Sequence, residues 1–107
     1  MSINTELNAV IAKRKEIDGD IDYETNPVIA ESVELMTRDI SETISFLIDE
    51  CSEEQFIWLS EIFDEIAANT KSKDFIRALE YVARKYPTAT EQYNIGFFIE
   101  SAAEYVE

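Results

Sequence analysis

Ser52-Glu53-Glu54-Gln55-Phe56-Ile57-Trp58-Leu59-Ser60-Glu61-Ile62-Phe63-Asp64-Glu65-Ile66 decides the fold class. Its first four residues have the form of a capping box: a serine hydroxyl accepts from an early helical N–H, and a glutamine three places on reaches back to the cap's own N–H. Behind the cap, Phe56, Leu59, Ile62, Phe63 and Ile66 recur at three- and four-residue spacing. That is the period of one helix face, not the alternation of a strand. The spacing predicts a single helix over 53–68 that frays through Ala67-Ala68-Asn69-Thr70. At about 100° per residue, its core side leaves Glu53, Glu54, Ile57, Glu61, Asp64 and Glu65 outside and Trp58 at the boundary.

The same period runs outward in both directions. Toward the N-terminus, Leu7, Val10 and Ile11 predict a helix from Asn4 to Glu16, followed by a polar, exposed loop over Asp18-Gly19-Asp20-Ile21-Asp22-Tyr23-Glu24-Thr25-Asn26. Asn26-Pro27 reads as a cap followed by proline at the first helical position, opening a helix that carries Ile29, Val33, Met36 and Ile40 inward. Val28 and Leu35 fall off that stripe, while Ile40, Ile44, Leu47, Ile48 and Cys51 form a new one, so a break is expected near Asp39. Toward the C-terminus, Ser72 caps a helix burying Phe75, Ile76, Leu79, Val82, Ala83 and Tyr86, and Pro87 ends it. A short turn over Thr88 to Glu91 and a last helix capped by Asn94, with Ile95, Phe98, Ile99, Ala102 and Val106 on one side, complete the chain. Tyr81, Tyr93, Phe97 and Tyr105 read as packing residues between helices. The expected fold is all-α: a compact bundle of five to six helices plus turns, forming a single domain over residues 1–107.

Composition narrows the chemistry. The 107 residues are 46% apolar and 11% aromatic, enough to build one core despite 30% charged residues. No apolar run approaches the roughly 18 to 20 residues that cross a bilayer, and Met1 to Val10 lacks the basic stretch and apolar block of a signal peptide. The expected location is cytoplasmic. There is no histidine, which removes the usual general base, the commonest zinc ligand and the Ser-His and Cys-His nucleophile pairs. Neither Gly19 nor Gly96 sits in a phosphate-cradling pattern. Cys51 stands alone, so no internal disulfide forms, and its place at the end of an apolar stripe reads as a buried thiol. No enzymatic activity, cofactor or metal is expected.

Two carboxylate patterns were candidates for chemistry. Asp18, Asp20 and Asp22 alternate as in a calcium loop, but the glycine needed at the sixth position is Tyr23 and the bidentate glutamate at the twelfth would be Ile29. An exposed acidic loop presenting Tyr23 is the better reading. The pairs Asp49/Glu50 and Glu61/Glu65 could in principle act as general acid and base, but nothing in the sequence selects them.

The charge is regional. The chain carries a net −14, and residues 16–70 hold sixteen acids against one base, Arg38. Acidic helices ordinarily interleave lysine at i, i+4 for a few tenths of a kcal/mol per pair, and this stretch forgoes it. A solvated face is the bland reading of such a run. Bulky apolar side chains among the acids favour a binding face instead, with anchors set in charge. Its sign selects a basic partner and argues against nucleic acid or an anionic membrane, both polyanions. The candidate contact residues are Asp18, Asp20, Asp22, Tyr23, Glu24, Asp49, Glu50, Glu53, Glu54, Ile57, Trp58, Glu61, Asp64 and Glu65.

A small acidic helical chain with a helix opened by Ser-Glu-Glu-Gln-Phe-Ile-Trp-Leu resembles bacterial immunity proteins that neutralise nuclease toxins, among them the helical nuclease-colicin immunity proteins. The stretch from Ser52 to Tyr105, with Lys85-Tyr86-Pro87 and Gln92-Tyr93-Asn94-Ile95-Gly96-Phe97-Phe98-Ile99-Glu100, is more similar to the helical immunity proteins of contact-dependent growth inhibition systems. The resemblance covers about half the chain. It implies a 1:1 heterodimer with the basic C-terminal domain of a cognate toxin, an RNase favoured over a DNase, whose active-site or substrate-binding surface is covered. The same surface physics would serve a non-catalytic adaptor or regulatory domain that docks another basic cytoplasmic protein.

Overall fold

The structure, a computed structural model, describes the backbone of residues 3–16 and 22–106 and the side chains of residues 3–13 and 30–106. The capping box at Ser52 forms as its sequence dictates: Gln55 N–H donates to Ser52 Oγ (3.2 Å) and Ser52 N–H donates to Gln55 Oε1 (2.9 Å). Around it the described residues make eight helices and no strand. These are α1 (Ile3–Glu16), α2 (Asp22–Thr37), α3 (Ile40–Asp49), α4 (Glu53–Ser60), α5 (Phe63–Thr70), α6 (Lys73–Lys85), α7 (Pro87–Gln92) and α8 (Ile95–Glu104). The all-α class stands. None of these helices is long and apolar enough to cross a membrane.

The helix count exceeds the expected five to six for two reasons. The turn after Pro87 is a short helix, α7, and the segment expected as one helix over 53–68 is two. Ser60 Oγ donates to the Ile57 carbonyl (2.6 Å), while the N–H of Glu61 turns to Leu59, so the i→i−4 ladder stops. Ile62, at φ −117° and ψ 10°, then starts α5 in a new direction. The break expected near Asp39 is present, with the Asp39 carboxylate accepting from Glu42 N–H (3.3 Å) as the cap of α3. Ser72 caps α6 in the same way, over 3.1 Å to Phe75 N–H. Asn94 precedes α8 as expected, but makes no side-chain cap; its backbone is left-handed (φ 55°), a conformation asparagine tolerates better than most residues.

One boundary differs more. The α2 backbone is helical from Asp22, more than a turn before Pro27, so neither the start at Asn26-Pro27 nor a loop through residues 22–26 holds. Proline's fixed φ is itself helical, and its cost inside a helix falls on the carbonyl four residues back, here Tyr23, which loses a donor.

The core stripes mostly stand. Leu7, Val10, Ile11, Met36, Leu47, Cys51, Phe56, Leu59, Ile62, Phe63, Ile66, Phe75, Leu79, Val82, Ile95, Ile99 and Ala102 are buried. Phe63 stacks tilted on Phe56 (centroids 5.6 Å apart) and edge-on to Phe75 (6.4 Å), joining α4, α5 and α6 through one aromatic cluster. Leu35, expected off the stripe, is buried, while Ile40 and Ile44 are only half-buried and Ile48 is exposed. In α3 the inward positions go to Phe46 and Thr43, whose hydroxyl donates to the Met36 carbonyl (2.7 Å) and so satisfies its own burial. Ile29 lies outside the residues whose side chains are described. The most extensive pairing is α5 on α8, followed by α1 on α2 and α3 on α6.

Candidate functional site

Helix α4 presents the acidic face. Glu53 and Glu54 are exposed in its first turn, where the helix dipole favours carboxylates, and Glu61 is exposed at its C-terminal cap. Asp49 and Glu50, at the end of α3, are exposed just before the cap; Glu50 Oε1 accepts from Asn4 Nδ2 (3.3 Å). Glu65 is exposed on α5. Arg38, the one base among residues 16–70, is engaged elsewhere: its guanidinium donates to Glu6 Oε2 on α1 (2.9 Å), and this hydrogen bond holds the Glu6 carboxyl below its usual range. From Asp39 to Thr70 nine acids therefore stand with no base in the chain segment itself.

Two expected members of the outer face sit differently. Ile57 is half-buried and packs against the core, as does Trp58. Asp64 is half-buried against α8, where its Oδ2 accepts from Ser101 Oγ (3.1 Å) and its Oδ1 is buried without a hydrogen-bond partner. Asp64 is thus a helix–helix contact, because the new direction taken at Ile62 turns it toward α8. Asp22, Tyr23 and Glu24 belong to the first turn of α2, and their side chains are not among those described. Asp18 and Asp20 lie outside the described residues.

The structure adds residues that the sequence did not single out for contact. Beside α4, Ile57, Trp58, Ser60 and Glu61 meet Tyr93 and Phe98 around a recess of about 290 Å³. Tyr93 is 47% exposed, and Phe97, edge-on to Phe98 at 6.0 Å, is 59% exposed. Tyr81 and Tyr105 are exposed too, so none of the four aromatics read as interhelical packing is buried. A signal was present: Tyr81 and Phe97 fall off the apolar stripes of α6 and α8, and Tyr93 and Tyr105 stand just past the ends of α7 and α8. Tyr81 lines a second groove, about 390 Å³, with Ile44, Ile48 and Ala78 between α3 and α6.

Cys51 is buried at the α3–α4 turn, and loss of solvent pushes its thiol up to about 12, so it stays protonated and unreactive near neutrality. Among the described residues no cluster of acids and cysteine is arranged to hold a metal ion. Comparison with known protein families, curated proteins and solved structures finds no match.

Proposed function

We propose that this chain is a non-catalytic binding protein of the immunity type. It covers the positively charged active-site or substrate-binding surface of a basic toxin domain, an RNase more than a DNase, in a 1:1 complex. The observation that carries the reading is the juxtaposition on α4 of the exposed carboxylates Glu53, Glu54 and Glu61 with an aromatic-walled recess. A nuclease collects phosphates with lysine and arginine, so a carboxylate face can occupy the same cleft in place of the nucleic acid. Long-range attraction then sets a fast, salt-sensitive encounter, while the half-buried Trp58 and Ile57 and the exposed Tyr93 slow release.

Co-expression with the product of the adjacent upstream gene tests this. The expected outcome is co-purification at equal stoichiometry and rescue of growth from that protein's toxicity, with an association rate falling steeply between low and high salt. Absence of both binding and rescue overturns the immunity reading. Binding to a basic cytoplasmic protein that is not toxic would replace it with the adaptor reading.

A further inference from the structure

We infer that two copies of this chain associate through the face shared by α3 and α6, about a two-fold axis lying along the groove between them. The association concerns the chain alone and does not depend on the immunity reading. With Thr43, Phe46 and Leu47 turned inward, the outer side of α3 carries no charge over two turns: Ser41, Ile44, Ser45 and Ile48 occupy it, and Ile48 is 37% exposed. Across the groove stands Tyr81 of α6, 44% exposed, beside the buried Ala78. In a chain that is 30% charged, an exposed apolar strip between charged rims has the composition of an interaction site.

The two rims are opposite in charge and equal in spacing. Glu42 and Asp49 are exposed on the α3 rim, and Arg77 and Arg84 on the α6 rim. Each pair is seven residues apart, about 10.5 Å along a helix. Tyr86, past the end of α6, reaches the carbonyl of Cys51, past the end of α3, an offset of 35 residues. The two helices therefore run the same way, and the same offset sets Arg77 level with Glu42 and Arg84 level with Asp49. A half-turn about an axis along the groove lays each copy's α3 rim over the other's α6 rim and keeps level residues level. Glu42 then meets the second copy's Arg77, Asp49 meets its Arg84, and Tyr81 covers its Ile44 and Ile48. A half-turn about an axis across the groove would set like charge on like, so charge selects one arrangement. Within one copy Arg77 already pairs with Asp74 (3.4 Å), but their side chains are 77% and 73% exposed, and so open a pair holds Arg77 only weakly. Glu80 lies on the other side of α6, with Ile76 and Val106. The net −14 opposes association at long range, yet at physiological salt it is screened beyond about 8 Å, while contacts across the rims are not. No residue of α4 lines the groove, so each copy still presents its α4 carboxylates.

Sedimentation equilibrium of the full chain over a concentration series, at physiological salt, tests this. The expected result is a monomer–dimer equilibrium with a dissociation constant of about 1–100 μM. Ile48→Lys should weaken it at least about tenfold, whereas Phe97→Lys, which places the same charge on an exposed aromatic of α8, should change it less than about twofold. Asp49→Arg alone and Arg84→Glu alone should each weaken it about tenfold, because both symmetry-related contacts then join like charges. An equimolar mixture of those two variants should dimerise again, since in the mixed dimer every rim contact joins opposite charges. Circular dichroism of each variant establishes that it is folded, and recovery on mixing is a result that no unfolded chain gives. A wild-type chain still monomeric at about 1 mM, equal effects of Ile48→Lys and Phe97→Lys, or no recovery on mixing would each overturn the inference. None of these results bears on toxin co-purification or growth rescue, so the dimer can fail while the immunity reading stands, and the reverse.

Discussion

The phenolic hydroxyl of Tyr86 donates to the backbone carbonyl of Cys51 over 2.8 Å, fastening the end of α6 to the turn between α3 and α4. That turn is where the acidic face begins, since Cys51 immediately precedes the cap of α4 and itself donates its N–H to Phe46 O (2.9 Å). A tyrosine, near the end of a helix that is basic in its last turn, thus fixes the entry angle of the acidic helix. Tyr86→Phe keeps the ring packing and deletes only the hydroxyl. It should cost about 1 kcal/mol. For a domain of this size that is a drop in melting temperature of about 4–8 °C, read by circular dichroism.

Gln55 links the cap to α1 as well as closing the box. Its Nε2 donates to Asn4 Oδ1 (2.7 Å) and Asn8 Oδ1 (2.8 Å), while its Oε1 accepts from Ser52 N–H. Gln55→Ala should therefore destabilise by about 2 kcal/mol, against about 1 kcal/mol for Ser52→Ala, which loses the cap alone. The double variant Asn8→Ala/Gln55→Ala should cost less than the sum of its parts in urea unfolding, because both members serve one network. Strict additivity would show that the α1 contacts contribute nothing.

Glu61 and Asp64, both expected on one outer face, should separate cleanly under charge reversal. Glu61→Lys alters an exposed cap residue, so stability should stay within about 0.5 kcal/mol while association with the proposed basic partner slows. Asp64→Lys breaks the bond from Ser101 and forces an ammonium into the α5–α8 contact, a loss of about 2 kcal/mol or more in chemical denaturation. Equal stability losses would mean that Asp64 faces solvent after all.

Cys51 supplies the pH dependence. Its thiol is pushed from an ordinary 9.0 up to about 12 by burial, so between those values the folded chain holds a proton that the unfolded chain has released. Stability from this group is full below pH 9 and declines as pH rises toward 12. A thiol reagent at pH 8 should accordingly label the native protein slowly and the urea-unfolded protein at once, and denaturation midpoints should fall between pH 9 and 11. Rapid native labelling would place the thiol at the surface.

Much of this molecule is written in local sequence. Ser52-Glu53-Glu54-Gln55, Ser72, Asp39 and Pro87 mark helix ends because capping and proline chemistry act within three or four residues of the chain. The stripes through Phe56, Leu59, Phe75, Leu79, Ile95 and Ile99 are buried as their period requires. What the period does not carry is which neighbour covers a helix's flanks. The burial of Leu35 and the rim positions of Ile44 and Ile48 follow from how α1 and α6 settle on α2 and α3, and no single-helix projection contains that information.

The acidic character of the candidate site is a property of the sequence alone, because charge is counted without coordinates, and the basic character of the proposed partner is argued from it. The site's shape was decided by tertiary structure. One serine hydroxyl taking the Ile57 carbonyl ends α4 at Ser60, and the redirected chain turns Asp64 inward onto Ser101. The packing of α7 and α8 against α4 then brings Tyr93 and Phe98, more than thirty residues downstream, to the side of Trp58 and Glu61. Helical periodicity acts within one element, whereas a recess is made by several, and only their packing can assemble it.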